Sequence, residues 1–429
     1  MLVSVYSTVP QQHLSSWQAS GKPVAAKQHW RFLFAGWATE IEKARTLDPK
    51  AALRLDADNP VSSGISPRRL RLTGWAMTDF NDPGGLVAEV ISALGLAAPV
   101  VAAPMAGGPT TPRLVIAAAA AGGMGLLAGG YKSAEALAAQ IGEVRTAGVP
   151  FGVNLFAPNP VPVDRVEYER YRAAIQSEAD RLGVDLSGIP ITEDDDGWRD
   201  KVDLLLADPV PLATFTFGIP DRAVVRALRA AQTVVGQTVT TAAEAEAAVA
   251  AGVDLLVVQG AAAGAHSGTL SPDRLPEEKP LTDLVREVAA VTSLPVVAAG
   301  GIAQSGDVAD VLRAGAVAAM VGTVLLRSDE SGASATHRAA LEHAAPGRTV
   351  LTRAFSGRPA RGLRNTFTDR FTATAPSGYP ALHHLTTPLR KAAAAAGDPE
   401  RLHLWAGTGY PHAKAGPAAD ILRNLTAHL

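Results

Sequence analysis

Eight short apolar runs recur between residues 99 and 323, each divided from the next by a longer connecting stretch, and most of those connections have helical spacing. They are PVVAAPM (99–105), MGLLAGG (124–130), FGVNLF (151–156), ATFTFG (213–218), VVGQTV (234–239), DLLVVQG (254–260), PVVAAGG (295–301) and AVAAMVGT (316–323). Most are apolar almost throughout, as strands are when helices cover both of their faces. Between them, SAEALAAQIGEVRTAG, TAAEAEAAVAAG and GDVADVLRAG keep their apolar residues at helical spacing and close on the glycine that commonly ends a helix. Eight such units predict an α/β fold, a closed (β/α)8 TIM barrel, with an open doubly wound sheet as the alternative. Residues 157–212, with the acidic TEDDDGW, are too long for a plain connection and read as a helical insertion over the barrel mouth.

The repeating pattern does not reach the N-terminus. Residues 1–76 hold four of the six tryptophans (Trp17, Trp30, Trp37, Trp75) and ten Lys/Arg against five Asp/Glu, a net charge of 10 − 5 = +5. They are expected to form a dispensable N-terminal extension, with Met77 opening a catalytic domain over 77–429.

Composition removes several function classes. The net charge is −2 and no basic stripe is visible, so neither nucleic acid nor an anionic membrane is an expected partner. The absence of cysteine removes disulfides, thiolate nucleophiles and zinc–sulfur sites. The longest apolar stretch, LVIAAAAAGGMGLLAGG, is broken by glycines and reads as a helix followed by a strand. The first residues lack a basic segment followed by an apolar one, so a cytoplasmic protein, monomer or homodimer, is the expectation.

In a barrel of this kind chemistry sits at the C-terminal ends of the strands. Those ends supply Met105, Gly129–Gly130, Asn154, Gly218, Thr240, Gln259 with Gly260, Gly300–Gly301 and Gly322–Thr323. The set is rich in backbone donors and poor in charge. Glycines at the seventh and eighth ends let main-chain N–H groups point at a phosphate, and Thr323 adds a hydroxyl. After the sixth run, QGAAAGAHSG places one titratable ring, His266, among small residues that allow close approach of a bound group. GMGLLA matches G-x-G-x-x-A, but a helix precedes it and a strand carries it, the reverse of a dinucleotide-binding turn. No metal site is expected: His383, His384, His412 and His428 lack ligand spacing, and Glu193–Asp196 reads as a solvated turn.

Taken in order, APMAGGPTTPRLVIAAAAAGGMG, FGVNLF, QGAAAGAHSG, PVVAAGGI, MVGT, FSGRPARGLRN and LWAGTGY resemble the nitronate monooxygenases, formerly called 2-nitropropane dioxygenases. The resemblance runs from about residue 95 to the C-terminus. It implies a barrel with a helical second domain, FMN as cofactor, and oxidation of alkyl nitronates, such as propionate-3-nitronate, with O2 to a carbonyl compound and nitrite. Carried over, it assigns FMN binding to Asn154, Gln259, Gly264, Gly301, Met320, Val321, Gly322 and Thr323, puts Met105 against the flavin ring, and makes His266 catalytic. Three positions depart from the family pattern: Ala262 where Glu is common, Ala265 for the second glycine before the histidine, and Met320 for a common Gln. Two other readings remain at this level. One is an FMN-dependent NAD(P)H reductase of enoyl thioesters or quinones; the other is a non-catalytic phosphate-binding barrel.

Overall fold

Every one of the eight apolar runs is a parallel strand of one closed barrel: β1 (Val100–Ala102), β2 (Met124–Ala128), β3 (Phe151–Ala157), β4 (Leu212–Phe217), β5 (Val234–Val239), β6 (Leu255–Gln259), β8 (Val296–Ala299) and β9 (Ala318–Val321). The order follows the chain, and β9 closes on β1 through Met320 opposite Val101. This is a computed structural model, and it describes residues 94–427 and 429, plus the backbone of two short antiparallel strands, Gln18–Ala19 and Lys22–Pro23. The expected boundary at Met77 lies outside the described residues.

Side chains alternate across each strand, so two cores form. Val101, Met124, Leu126, Leu212, Leu255, Val257, Val297 and Met320 fill the barrel interior, while Val100, Leu127, Val153, Phe215 and Val258 face the surrounding helices. Helix α1 (Pro112–Ala120) starts where Thr111 caps the Leu114 N–H and Pro112 occupies the first turn. It precedes β2, which carries GMGLLA, so that segment is a buried strand. Helices α2 (Ala134–Thr146), α5 (Arg222–Ala230), α6 (Ala242–Ala251), α7 (Leu281–Ala289) and α8 (Ser305–Arg313) complete the regular units. Among the described residues no helix is long and apolar enough to cross a membrane.

The expected insertion is helical, but its extent differs. Helix α4 (Trp198–Ala207) packs against α2, α5 and β3 as the ordinary crossover helix of the third unit, with Val202 and Leu205 in the outer core. Only the part before it leaves the barrel. There α3 (Arg165–Asp180) packs Tyr168, Tyr171 and Ile175 against Phe355, Phe367, Leu382 and Leu385 from the C-terminal segment. That segment contains β10 (Thr349–Thr352), β11 (Ala360–Leu363), α10 (Thr366–Phe371) and α11 (Ala381–Ala395). A second apolar cluster is thus assembled from two distant stretches. Glu178, 1% exposed, joins them through Arg370 and Arg401.

Candidate active site

A cavity of about 370 Å³ opens at the C-terminal ends of the barrel strands, within the range of small-molecule sites. All ten residues that the resemblance assigns to cofactor binding or catalysis line it: Met105, Asn154, Gln259, Gly264, His266, Gly301, Met320, Val321, Gly322 and Thr323. Above the apolar layer of Met124, Leu126 and Met320 lies a polar one. Asn154 Nδ2 donates to Thr214 Oγ1 (2.9 Å) and Thr216 Oγ1 (3.0 Å), and Thr216 Oγ1 lies 3.1 Å from Thr238 Oγ1. This ladder fixes the asparagine and leaves its Oδ1 without a hydrogen bond among the described residues. Met320 is 7% exposed and packs into the barrel interior, so a side chain without polar atoms suits that position.

The seventh and eighth strand ends form a cradle of main chain. Gly300 and Gly301 have φ of +117° and +78°, which glycine adopts at little cost. The N–H groups of Gly301, Gly322 and Thr323 make no hydrogen bond among the described residues. Thr323 Oγ1 accepts from Gly407 N at 3.0 Å and keeps its own proton to donate. His337, 8% exposed on α9 (Ala335–His343), lines the same cavity, and its Nε2 is buried without a partner among the described residues. Unspent donors and glycine walls fit a phosphate-bearing group. Gly264 has a different reason to be glycine: a Cβ there would stand 2.5 Å from Gly407 N. It lets the loop after β6 pass beside the C-terminal AGTGY loop.

His266 lies on β7 (Ala265–His266), an edge strand paired with β11. Its loop is held from all sides. Gln259 donates to His266 O (3.2 Å) and accepts from Gly268 N (2.6 Å), so the amide expected to serve the cofactor also braces the histidine loop. Arg358 donates to Ser267 O and Thr269 O, and Glu244 accepts from Thr269 Oγ1 (2.8 Å) and Leu270 N (2.7 Å). The imidazole Nε2 is 2.8 Å from Ser356 Oγ, and its ring stands among Phe217, Tyr379 and Trp405 at centroid distances of 5.8, 5.8 and 5.4 Å. Ala265 takes φ +64°, a left-handed conformation, which gives a physical reason for the family's glycine at this position.

The electrostatics come from buried cations. Arg358 is fully buried, with its guanidinium 3.9 Å from the Phe217 ring centroid, and Arg390 is 8% exposed. Burial lowers both to about 10, so both stay charged at neutral pH. Burial first, and then these two cations, push His266 down to about 3. The ring is therefore neutral at physiological pH.

Some strand-end residues do not reach the cavity. Gly130 leaves space for the Phe156 ring, which a Cβ would approach to 2.3 Å, and Gly218 lies against Pro158 O. Their neighbours Tyr131 and Phe217, both at positive φ, line the cavity instead. Thr240 bonds to Glu244 at the start of α6. In the acidic turn Glu193, Asp194 and Asp195 are exposed as expected, while Asp196 is partly buried and accepts from Tyr131 N (2.9 Å) and Lys201 Nζ (2.6 Å). Sequence reading missed Tyr131, Phe217, His337, Ser356, Arg358, Tyr379 and Arg390. The FSGRPARGLRN motif was the one signal pointing at Ser356 and Arg358.

Fold and site together define the class: a (β/α)8 barrel with a small-molecule-sized cavity at its C-terminal face, where enzymes of this fold carry their chemistry. Comparison supplies the family. The nitronate monooxygenase family profile matches residues 89–428. A probable nitronate monooxygenase of Staphylococcus aureus (strain Newman) is 35% identical over 338 residues, covering 77% of this chain and 94% of the relative. A nitroalkane oxidase from Streptomyces ansochromogenes has a solved structure that superposes with a TM-score of 0.74 at 44% identity, over 79% of this chain and 97% of that one. FabK from Thermotoga maritima superposes with a TM-score of 0.61 at 25% identity, over 79% and 94% of the two chains. The chain belongs to the nitronate monooxygenase family and is an oxidoreductase.

Proposed function

We propose that this enzyme binds FMN in the glycine-walled cavity and oxidises alkyl nitronates with O2 to a carbonyl compound and nitrite. One observation carries the reading. The neutral, buried imidazole of His266 and the N–H groups of Gly301, Gly322 and Thr323, unpaired among the described residues, line one cavity. The main-chain cradle suits the FMN phosphate, with His337 Nε2 a further donor or acceptor. Met105 and Met320 offer apolar surface to a ring system, and Asn154 Oδ1 offers an acceptor to its polar edge. When bound, the flavin supplies the electron transfer that the protein's own side chains cannot.

The side chains supply the rest. His266 accepts the α-proton when the substrate arrives as a neutral nitroalkane. The charges of Arg358 and Arg390, neither of which is in an ion pair among the described residues, favour the nitronate anion over the neutral form, with the buried Glu244 carboxylate offsetting part of the Arg358 charge. Phe217, Tyr379 and Trp405 keep water from the imidazole. The test is anaerobic mixing of the yellow protein with propionate-3-nitronate, nitroethane or NADH. Rapid bleaching by nitronate, then nitrite release on admitting O2, supports the proposal; rapid bleaching by NADH alone would assign the barrel to the reductases.

A further inference from the structure

The ring of Tyr131 lines both the first cavity and a second chamber, of about 740 Å³, whose wall also includes His266. It stacks on His383 at 4.4 Å between centroids and 2° between planes, and meets Phe156 edge-on at 5.3 Å. Tyr379 donates its hydroxyl proton to Tyr131 Oη across 3.4 Å. Burial pushes the Tyr131 hydroxyl up to about 12, so it keeps its own proton at neutral pH, and that proton has no acceptor among the described residues. One hydrogen-bond donor is thus left over on the cavity that holds the catalytic imidazole.

Tyr131 has φ +64°, a left-handed conformation that residues with a Cβ rarely adopt, and its N–H is held from outside its own strand. Asp196 Oδ1 accepts that N–H at 2.9 Å. The other carboxylate oxygen, Oδ2, accepts from Lys201 Nζ at 2.6 Å. Lys201 is 1% exposed, and its Nζ has no other partner among the described residues. Left-handed backbone at Asp196 (φ +58°) and Gly197 (φ +64°) forms the turn that precedes α4. One carboxylate therefore ties the loop after β2 to the first turn of the next crossover helix. So buried an ion pair is weak evidence for stability, since an apolar pair of similar size often serves as well. What an apolar pair cannot do is accept the Tyr131 N–H.

We propose that Asp196 is a positioning residue of the reaction. Through the Tyr131 N–H it holds the Tyr131 hydroxyl toward a nitronate oxygen, and Lys201 fixes the direction of its carboxylate. The hydroxyl would bind that oxygen in ground state and transition state alike, so its loss is read in KM more than in kcat. The identity of the substrate rests on the nitronate reading of the first cavity; the link from Asp196 to Tyr131 does not.

The test compares two double variants of the flavin-loaded full chain, neither of which leaves a buried charge unpaired. Asp196→Asn with Lys201→Met keeps an acceptor at Oδ1, and Asp196→Gly with Lys201→Met removes it. Asparagine and glycine both tolerate the left-handed backbone at this position. Hydrogen–deuterium exchange of the Tyr131 amide should match wild type in the asparagine variant and be at least tenfold faster in the glycine variant. With ethylnitronate, the asparagine variant should stay within threefold of the wild-type KM. The glycine variant should raise KM at least tenfold, with kcat within threefold. When Tyr131→Gly is added to each, the two should differ less than twofold, because nothing is left to position. Equal exchange or equal KM in the two double variants overturns the proposal, and so does a KM difference that persists without the Tyr131 ring. Should the glycine variant fail to fold, Tyr131→Phe decides: it removes only the hydroxyl, and an unchanged KM overturns the proposal. Exchange at Tyr131 that follows the acceptor, with no nitronate oxidised even by wild type, overturns the nitronate reading and leaves the Asp196 link standing.

Discussion

Ser356 Oγ lies 2.8 Å from His266 Nε2, and the same hydroxyl is 3.3 Å from the carbonyl oxygen of Arg358. A hydroxyl has one proton to give. Given to Arg358 O, it leaves Oγ to accept from Nε2–H, and Nδ1 then keeps the lone pair a base requires. The residue that sets the imidazole's hydrogen bonding is thus 90 positions away in sequence and belongs to the same segment as Arg358, whose charge opposes protonation of the ring.

Several histidines make the fold sensitive to acid. His266 is pushed down to about 3 and His337 to about 4, in each case chiefly by burial, and His383 and His403 lie well below their usual value. Below about pH 6.5 the unfolded chain binds protons that the folded chain does not, so stability rises with pH up to that value and is lost as pH falls below it. The melting temperature should be flat from pH 7 to 8 and drop by more than about 5 °C between pH 7 and 5. Differential scanning calorimetry across that range checks it; a flat profile would mean these rings are solvated.

Gly322 separates folding from cofactor binding. A Cβ at this position would sit 3.4 Å from Ala103 Cβ and 3.5 Å from Met105 Sδ, ordinary contacts that the empty fold tolerates. The added methyl groups of valine project where a bound phosphate and its N–H donors must meet. Gly322→Val should therefore give a folded protein, by circular dichroism, that purifies with little yellow colour. Full flavin occupancy in that variant would move the phosphate elsewhere.

The barrel was legible because strand burial and helix amphipathicity are local periodicities, so all eight strands and the polar strand ends could be read directly. His266, Asn154, Gln259 and the glycines at Gly301 and Gly322 follow from that register. The remainder of the site was not local. Arg358 approaches His266 through the pairing of β7 with β11, and Tyr379 and Arg390 belong to a C-terminal segment that packs on α3; no periodicity encodes either long-range contact. Tyr131 and Phe217 were hidden for another reason: each left-handed residue turns a large ring into the cavity beside a glycine that appeared to be the functional one.

Ala265 carries a measurable strain. At φ +64° a residue with a Cβ costs about 1 kcal/mol or more relative to glycine, while glycine's greater freedom in the unfolded chain offsets about 0.4–1 kcal/mol. Ala265→Gly should be neutral to stabilising by up to about 1 kcal/mol in urea unfolding, and Ala265→Val should destabilise by more than about 1 kcal/mol. Destabilisation by glycine would show that the alanine methyl contributes packing that outweighs the strain.

The N-terminal stretch is expected to be dispensable. The family match begins at residue 89, beyond the tryptophan-rich segment. A chain starting at Met77 should be soluble, yellow and within about threefold of full activity, because every barrel strand is retained. Insolubility or a tenfold loss in the nitrite-release assay would show that residues 1–76 contribute to the catalytic domain.

Replacing His266 with Asn separates proton transfer from anion binding. Asparagine keeps much of the volume but reaches only as far as the Nδ1 position, so it gives up the contact with Ser356, and it cannot take up a proton near neutral pH. A positioned general base is typically worth about 10²–10⁴ in rate. His266→Asn should keep its flavin and lose at least about tenfold in kcat/KM on neutral nitroalkanes, with a smaller loss on preformed nitronates, whose proton has already left. Because the ring's pKa is about 3, the wild-type rate on neutral nitroalkane should show no inflection near pH 6.5 from this group. Parallel steady-state assays with nitroethane and ethylnitronate decide the matter. An equal loss on both substrates would make His266 a holder of the anion, and no loss on either would leave the ring a structural part of its loop.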